Sequence, residues 1–187
     1  MRLVIPADAH LPSHIRALEQ GWTMDLRGAA AAAEQLQSLR ADPSAYLAGL
    51  DDRSVAGRFI QLPDGSQVPR LPGFQRWLWD GEFCGTIGLR WQPGTAELPA
   101  HCLGHVGYGV VPWKRRRGYA TLALQQLLPE ARAVGLPHID LTTDPDNLAS
   151  QKVIIASGGF LVREFIKPAQ FGSKPGLLFR IQLACLA

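Results

Sequence analysis

Residues 114–117 are four consecutive cations, Lys114, Arg115, Arg116 and Arg117, and Gly118 follows them directly. A run of like charges is best tolerated where an anion neutralises it. Gly118 removes a Cβ and lets a ligand approach the backbone. Beyond it, Ala120, Ala123, Leu124, Leu127, Leu128 and Ala131 recur at helical spacing, which predicts an amphipathic helix. The first amides of a helix have no partner within it, and the helix dipole adds partial positive charge at that end. Cations, glycine and helix start together make an anion site that a diphosphate fills well. The pattern is not a P-loop, because a second glycine and a Lys-Ser/Thr pair are missing. It also lacks the three-glycine dinucleotide fingerprint.

A site of this kind needs a strand before it and a helix after it. HVGYGVV, residues 105–111, supplies the strand and ends at Pro112. Upstream, FQRWLWDGEFCGTIGLRW is two apolar runs joined through Asp80-Gly81, a strong hairpin signal. Downstream of the helix, Gly135 is an end signal and HIDLTT reads as a buried strand. Pro129 is expected to kink or divide the helix. Asn147 caps a second helix that runs to Ser157 and closes at Gly158-Gly159. FLVREFI and LLFRIQL are two final strands. This order predicts an α/β fold, a mixed sheet with a central parallel strand pair flanked by helices. The first 73 residues are less regular: RLVIP is a candidate strand, and residues 14–22 and 29–40 have helical composition. SAYLAGLDDR is a further helical turn, and residues 51–75, rich in Pro and Gly, form a long loop.

Composition narrows the function classes. The chain has 187 residues, 47% hydrophobic and 19% charged, which describes one globular domain over 1–187 with a real core. It divides into an N-terminal helical part and loop, 1–73, and a core with C-terminal strands, 74–187. No window approaches the roughly 18 apolar residues that span a membrane, and no secretory signal opens the chain. Cys84, Cys102 and Cys185 form neither a disulfide framework nor a zinc pattern, so a cytoplasmic location and no metal are expected. The net charge is only +3. A nucleic-acid-binding protein carries a broader basic stripe with interleaved aromatics; a local cluster better suits a local anion.

Arg115-x-x-Gly118-x-Ala120 resembles the (Gln/Arg)-x-x-Gly-x-(Gly/Ala) signature of the GNAT superfamily of acetyl-CoA-dependent N-acetyltransferases. GHVGYGVVPWKRRRGYA is similar to that family's fourth strand, pyrophosphate loop and helix. TTDPDNLASQKVIIASGGF is similar to its fifth strand and next helix, so the likeness covers roughly residues 74–165. The resemblance implies a mostly antiparallel sheet whose central parallel strands splay apart around acetyl-CoA. It implies that the backbone of Val110 and Val111 meets the pantetheine arm. The amides of Arg117, Gly118, Tyr119, Ala120 and Thr121 would hold the pyrophosphate, with side-chain charge from Arg115, Arg116 and Arg117. Asn147 and Ser150 would meet the arm from the other side.

The implied reaction is acetyl transfer to an amine by direct attack in a ternary complex. It needs a neutral amine, a donor for the oxyanion such as an amide near Val110, and a proton for the departing thiolate. Many relatives supply that proton from a tyrosine on the helix after the asparagine; counted from Asn147, the place is Ile154. Tyr108 is the substitute candidate. Relatives often have a basic glutamate where His105 stands, so His105 is the candidate base and Glu82 the reserve. In a regular strand, His105 and Tyr108 face opposite ways. Each candidate has an ordinary reading too: His105 and Tyr108 as packing residues, Glu82 as a solvated turn residue. Glu97, His101 and Asp144 lie near strand ends. Trp77, Trp79 and Trp91 alternate like core residues, with an acceptor wall as their other reading. The acceptor is left open as a small molecule, a protein N-terminus or a lysine. The oligomeric state is open as well, a homodimer included. The rival readings are a non-catalytic acyl-CoA sensor and, behind it, a nucleic-acid-binding module.

Overall fold

The computed structural model of the chain describes residues 1–25, 27–54, 58–61 and 65–183; Cys185 lies outside them. In chain order the elements are β1 (Arg2–Val4), α1 (Leu11–Glu19), α2 (Ala29–Ala41), α3 (Pro43–Ala48), β2 (Asp51–Asp52), β3 (Phe59–Gln61), β4 (Gln67–Pro69), β5 (Gly73–Trp79), β6 (Phe83–Arg90), β7 (Val106–Val110), α4 (Tyr119–Ala133), β8 (His138–Thr143), α5 (Leu148–Ala156), β9 (Phe160–Ile166) and β10 (Pro175–Gln182). By contact the chain divides into two compact units. The first is Met1–Asp52, Gly73–Gly88 and Tyr108–Gln126; the second is Arg53–Pro72, Leu89–Gly107 and Leu127–Ala187.

The first unit is organised by the Asp80-Gly81 turn. Gly81 takes a φ of 109°, and the Asp80 amide donates to the Glu82 carbonyl at 3.2 Å. The turn folds β5 against β6 in a sheet ordered β1-β5-β6-β7, and β2 pairs with the far end of β5. Gly85 in β6 has a φ of 145°, and a Cβ there would lie 2.1 Å from the Gly109 carbonyl oxygen. Only glycine allows this approach between β6 and β7. The apolar face of α1 supplies Leu11, Ala17 and Leu18, which pack with Ala32, Leu39, Trp77, Phe83 and Val111. His14 is buried among them, its ring 4.3 Å from that of Trp77 and 4.7 Å from that of Phe83. Its Nε2 lies 2.9 Å from the Tyr46 hydroxyl. Burial pushes the His14 pKa down to about 4.

The second unit carries a three-stranded antiparallel sheet ordered β8-β10-β9. Arg180 stands opposite Asp140 in that register, and its Nε and Nη2 donate to the two Asp140 oxygens at 2.7 and 2.9 Å. Asn147 Oδ1 accepts from the Ser150 amide at 3.0 Å and starts α5. The helix closes as expected at Gly158, φ 88°, with the Gly159 amide bonded to the Ile154 carbonyl at 2.9 Å. A short pair, β3 with β4, completes the unit.

Most of the sequence-level elements form, with three differences. Residues 51–75 carry short strands where a loop is expected, although 55–57 and 62–64 lie outside the described residues. SAYLA is helical in α3, but Asp51 and Asp52 belong to a strand. Helix α4 runs through Pro129 without interruption. Ala123, Leu124, Leu127 and Ala131 are fully buried on either side of it. Burial on both flanks outweighs the single missing amide, and Pro129 itself is exposed. The ladders β1–β5, β2–β5, β3–β4, β8–β10 and β9–β10 are all antiparallel. Among the described residues, no helix is long and apolar enough to cross a membrane.

His14 makes stability depend on pH. Its folded pKa lies below the unfolded value of 6.5, so the unfolded chain binds the extra proton between pH 6.5 and about 4. The contribution is complete above pH 6.5 and is lost as pH falls toward 4, on the order of 3 kcal/mol in all. Urea unfolding at pH 7 and pH 4.5 should reveal the loss, and His14→Gln should show a visibly shallower acid dependence.

Candidate functional site

The first unit contains the cation loop. Its entrance is pinned by backbone bonds: the Val111 amide donates to the Cys84 carbonyl at 3.0 Å, and the Lys114 amide to the Val111 carbonyl at 3.0 Å. Val111 is fully buried with both backbone groups engaged, so it has no free amide for a ligand. That removes the Val111 amide from the expected Val110 and Val111 contact with the cofactor arm. Pro112–Lys114 form one 3-10 turn, and Arg115 Nε folds back to donate to the Val110 carbonyl at 3.1 Å. Arg116 then takes a φ of 64° and Gly118 a φ of 74°. The left-handed conformation costs a non-glycine residue roughly 1–2 kcal/mol, so the surroundings of Arg116 fix its shape.

The consequence is a row of open donors. The first α4 amide with a carbonyl partner is that of Leu122, bonded to Gly118 at 3.1 Å. Among the described residues, no backbone carbonyl accepts from the amides of Arg116, Arg117, Gly118, Tyr119, Ala120 or Thr121. A Cβ placed at Gly118 would have nothing within 4 Å, so the space above the glycine is empty of protein. Arg115, Arg116 and Arg117 are exposed around it. This suits a multiply charged anion approaching the backbone.

Lys114 is placed differently. Its Nζ lies 3.0 and 3.1 Å from the two Asp80 oxygens and 3.3 Å from Glu82. The Tyr119 hydroxyl donates to the same Asp80 carboxylate at 2.7 Å. Burial alone would raise the Asp80 pKa, but the bonds from Tyr119 and Lys114 outweigh it and hold the carboxyl well below its ordinary range. The Asp80 bond in turn raises Lys114 and Tyr119. Glu82, the reserve base, therefore sits in an ion pair at an exposed turn.

His105, in the second unit, is 1% exposed. Its amide donates to the Asp140 carbonyl at 2.8 Å, and its Nδ1 accepts from the Asp140 amide at 3.0 Å. With Nδ1 accepting, the neutral ring carries its proton on Nε2. Burial pushes the pKa down to about 4; Asp140 works against that shift, while His138 and Arg180 add to it. The ring has no free lone pair for a substrate proton, which corrects its reading as a base. Tyr108 is half-buried in the first unit. Asn147 uses Oδ1 for its cap, Ser150 lies in the same turn, and Ile154 is buried. Asp144 pairs with Lys167. Trp77 is core, and Trp79 stacks edge-on against His10 at 4.6 Å. Among the described residues, no group of three His, Cys, Asp or Glu could hold a metal.

Two features escape a reading of residue types. Asp80 looks like a turn former, and only the fold brings it to Lys114 and Tyr119. The second unit also holds a cavity of about 530 Å³. Glu97, Leu103, Asp140, Phe165 and Arg180 line it, and His101 lies in the same 97–103 segment, its Nε2 buried without a partner.

The acetyltransferase (GNAT) family profile matches residues 36–158. No curated protein matches the chain. Solved structures with the same fold include the ribosomal alpha-N-protein acetyltransferase RimL in complex with coenzyme A. Its TM-score is 0.62 at 12% identity, covering 97% of this chain and 93% of that one. The microcin C7 self-immunity acetyltransferase MccE, in complex with acetyl-CoA and AMP, gives 0.57 at 12% identity, covering 96% and 91%. A variant of the spermidine N-acetyltransferase SpeG from Vibrio cholerae gives 0.59 at 10% identity, covering 98% and 95%.

The His105 geometry predicts a stability effect. His105→Leu leaves the buried Asp140 amide without its acceptor and should cost about 1–3 kcal/mol. His105→Gln keeps an acceptor oxygen and should recover part of that loss in urea denaturation at pH 7. Equal stability of the two variants would refute the bond's importance.

Proposed function

Because the chain belongs to the acetyltransferase (GNAT) family, we propose that it transfers an acetyl group from acetyl-CoA to an amine by direct attack in a ternary complex. The observation that carries this reading is the row of six open amides at 116–121 beside exposed arginines and an open Gly118. Those donors fit the diphosphate of a CoA molecule in charge and number. Arg116 and Arg117 supply side-chain charge, with Arg115 partly engaged by the Val110 carbonyl. The two units act as one acetyltransferase domain over 1–187. The free thiols of Cys84 and Cys102 fit a reducing cytoplasm.

Acetyl-CoA, when bound, supplies a thioester already activated toward a neutral amine. This lets positioning account for much of the rate. Tyr108 is the candidate to hand a proton to the departing thiolate. His105 holds the chain near β8 and takes no proton at neutral pH. The amine's proton goes to water or to Glu82. RimL and SpeG are named for a protein alpha-amine and for spermidine, and an amine of either kind is the acceptor class.

A non-catalytic acyl-CoA sensor is the second reading. It is favoured by the buried Ile154 where many relatives have a tyrosine. A panel of peptide N-termini, lysine peptides and polyamines, read by thiol release from acetyl-CoA, separates the two. The transferase reading expects release with at least one amine; the sensor reading expects binding without release. Gly118→Val should abolish measurable acetyl-CoA binding in calorimetry, because the added side chain fills the approach to the amides and strains a backbone held at φ 74°; a thermal midpoint measured alongside separates this from unfolding. The pH–rate profile of the wild type should show no limb that His105→Gln removes, since His105 is neutral above about pH 4.

A further inference from the structure

The four-cation run is not one functional unit. Lys114 reaches away from the open amides to Asp80 and Glu82, at 3.0 and 3.3 Å. Its ammonium meets both Asp80 oxygens, at 3.0 and 3.1 Å. Tyr119, the first residue of α4, donates to Asp80 at 2.7 Å from the other end of the loop. One carboxylate therefore touches the residue before Arg115 and the residue after Gly118. Between those contacts stand Arg116 and Gly118, at φ 64° and 74°.

We infer that Asp80 is a positioning residue for the diphosphate cradle, clamping Lys114 and Tyr119 so that residues 115–118 present their amides outward. This rests on the acetyl-CoA reading of the loop. The sign of the charge makes the inference testable. A carboxylate near an anion site opposes the anion by Coulomb's law. If Asp80 acted only through charge, Asp80→Asn would make the site more positive and CoA would bind more tightly. A clamp predicts the opposite: Asn keeps the shape and can still accept from Tyr119, but it cannot form the ion pair that holds Lys114, so CoA binds more weakly despite the added positive charge.

The experiment measures CoA and pantetheine binding by calorimetry for the wild type, Asp80→Asn and Tyr119→Phe, with thermal midpoints alongside. CoA binding by the wild type reads on the acetyl-CoA assignment itself. The variants read on the clamp. In Asp80→Asn, CoA affinity should fall about tenfold or more, as expected for losing a charge-assisted contact, while pantetheine, which lacks the diphosphate, binds as before. Tyr119→Phe removes one hydroxyl at an accessible helix start and should lower CoA affinity by a smaller factor without unfolding the chain. In turnover, KM for acetyl-CoA should rise in both variants with kcat nearly unchanged. Unchanged or tighter CoA binding in both variants, or an equal loss for pantetheine, would overturn the clamp.

Discussion

A loop that leaves six amides without carbonyl partners cannot be held by its own backbone. This constraint runs through the first unit. Helix α4 cannot satisfy its first amides, and the preceding residues take left-handed conformations that satisfy none of them either. Order must come from outside the loop. It comes from three directions: the Val111 backbone bonded to Cys84 and Lys114, the Arg115 side chain folded on Val110, and the Asp80 carboxylate across the loop's ends. Two of the three depend on the β5–β6 hairpin, because Asp80 and Cys84 are its residues. Gly85 lets β7 lie close enough to β6 for Val111 to reach the Cys84 carbonyl.

The buried histidines solve a different problem. His105 uses its ring as a backbone surrogate, with Nδ1 accepting the amide of Asp140 while its own amide donates to the Asp140 carbonyl. His14 packs as a flat ring among Trp77, Tyr46 and Phe83. In both, burial favours the neutral form, and both pKa values fall to about 4. The position of a histidine on an apolar strand does not distinguish a base from such a ring. The distinction lies in whether a nitrogen lone pair remains free, and here Nδ1 of His105 has none to offer.

Local signals are legible in the sequence because their causes are local. The Asp80-Gly81 hairpin, the Asn147 cap, the glycine stops at Gly135 and Gly158 and the α4 stripe each arise within a few residues. The cation loop was legible for the same reason, since glycine, cations and helix start are adjacent in sequence. What escaped depends on pairing across the chain. Nothing near Asp80 announces that Lys114, 34 residues on, will meet it. The short strands between residues 51 and 69 are too brief to carry a period of two. The role of His105 depended on Asp140, 35 residues later. Pro129 stays inside α4 because the burial of Ala123, Leu124, Leu127 and Ala131 around it outweighs local propensity.

Proximity in sequence also concealed a division of labour among the cations. A lysine ammonium is a compact charge with three donors, able to meet both oxygens of one carboxylate and a second carboxylate beside it, as Lys114 does with Asp80 and Glu82. A guanidinium is a planar fork suited to phosphate oxygens, and the arginines are the cations left exposed beside the open amides. The geometry matters as much as the residue type. Exposed pairs such as Arg27 with Glu34, at 59% and 61% side-chain exposure, contribute little to stability. The Lys114–Asp80 pair is reinforced instead by geometry, with both carboxylate oxygens engaged by Lys114 and one of them also by Tyr119. A dianion arriving at residues 116–121 therefore meets a loop whose inner cation is already neutralised and whose outer cations are not. Its field draws on Arg116 and Arg117 while Lys114 keeps the frame.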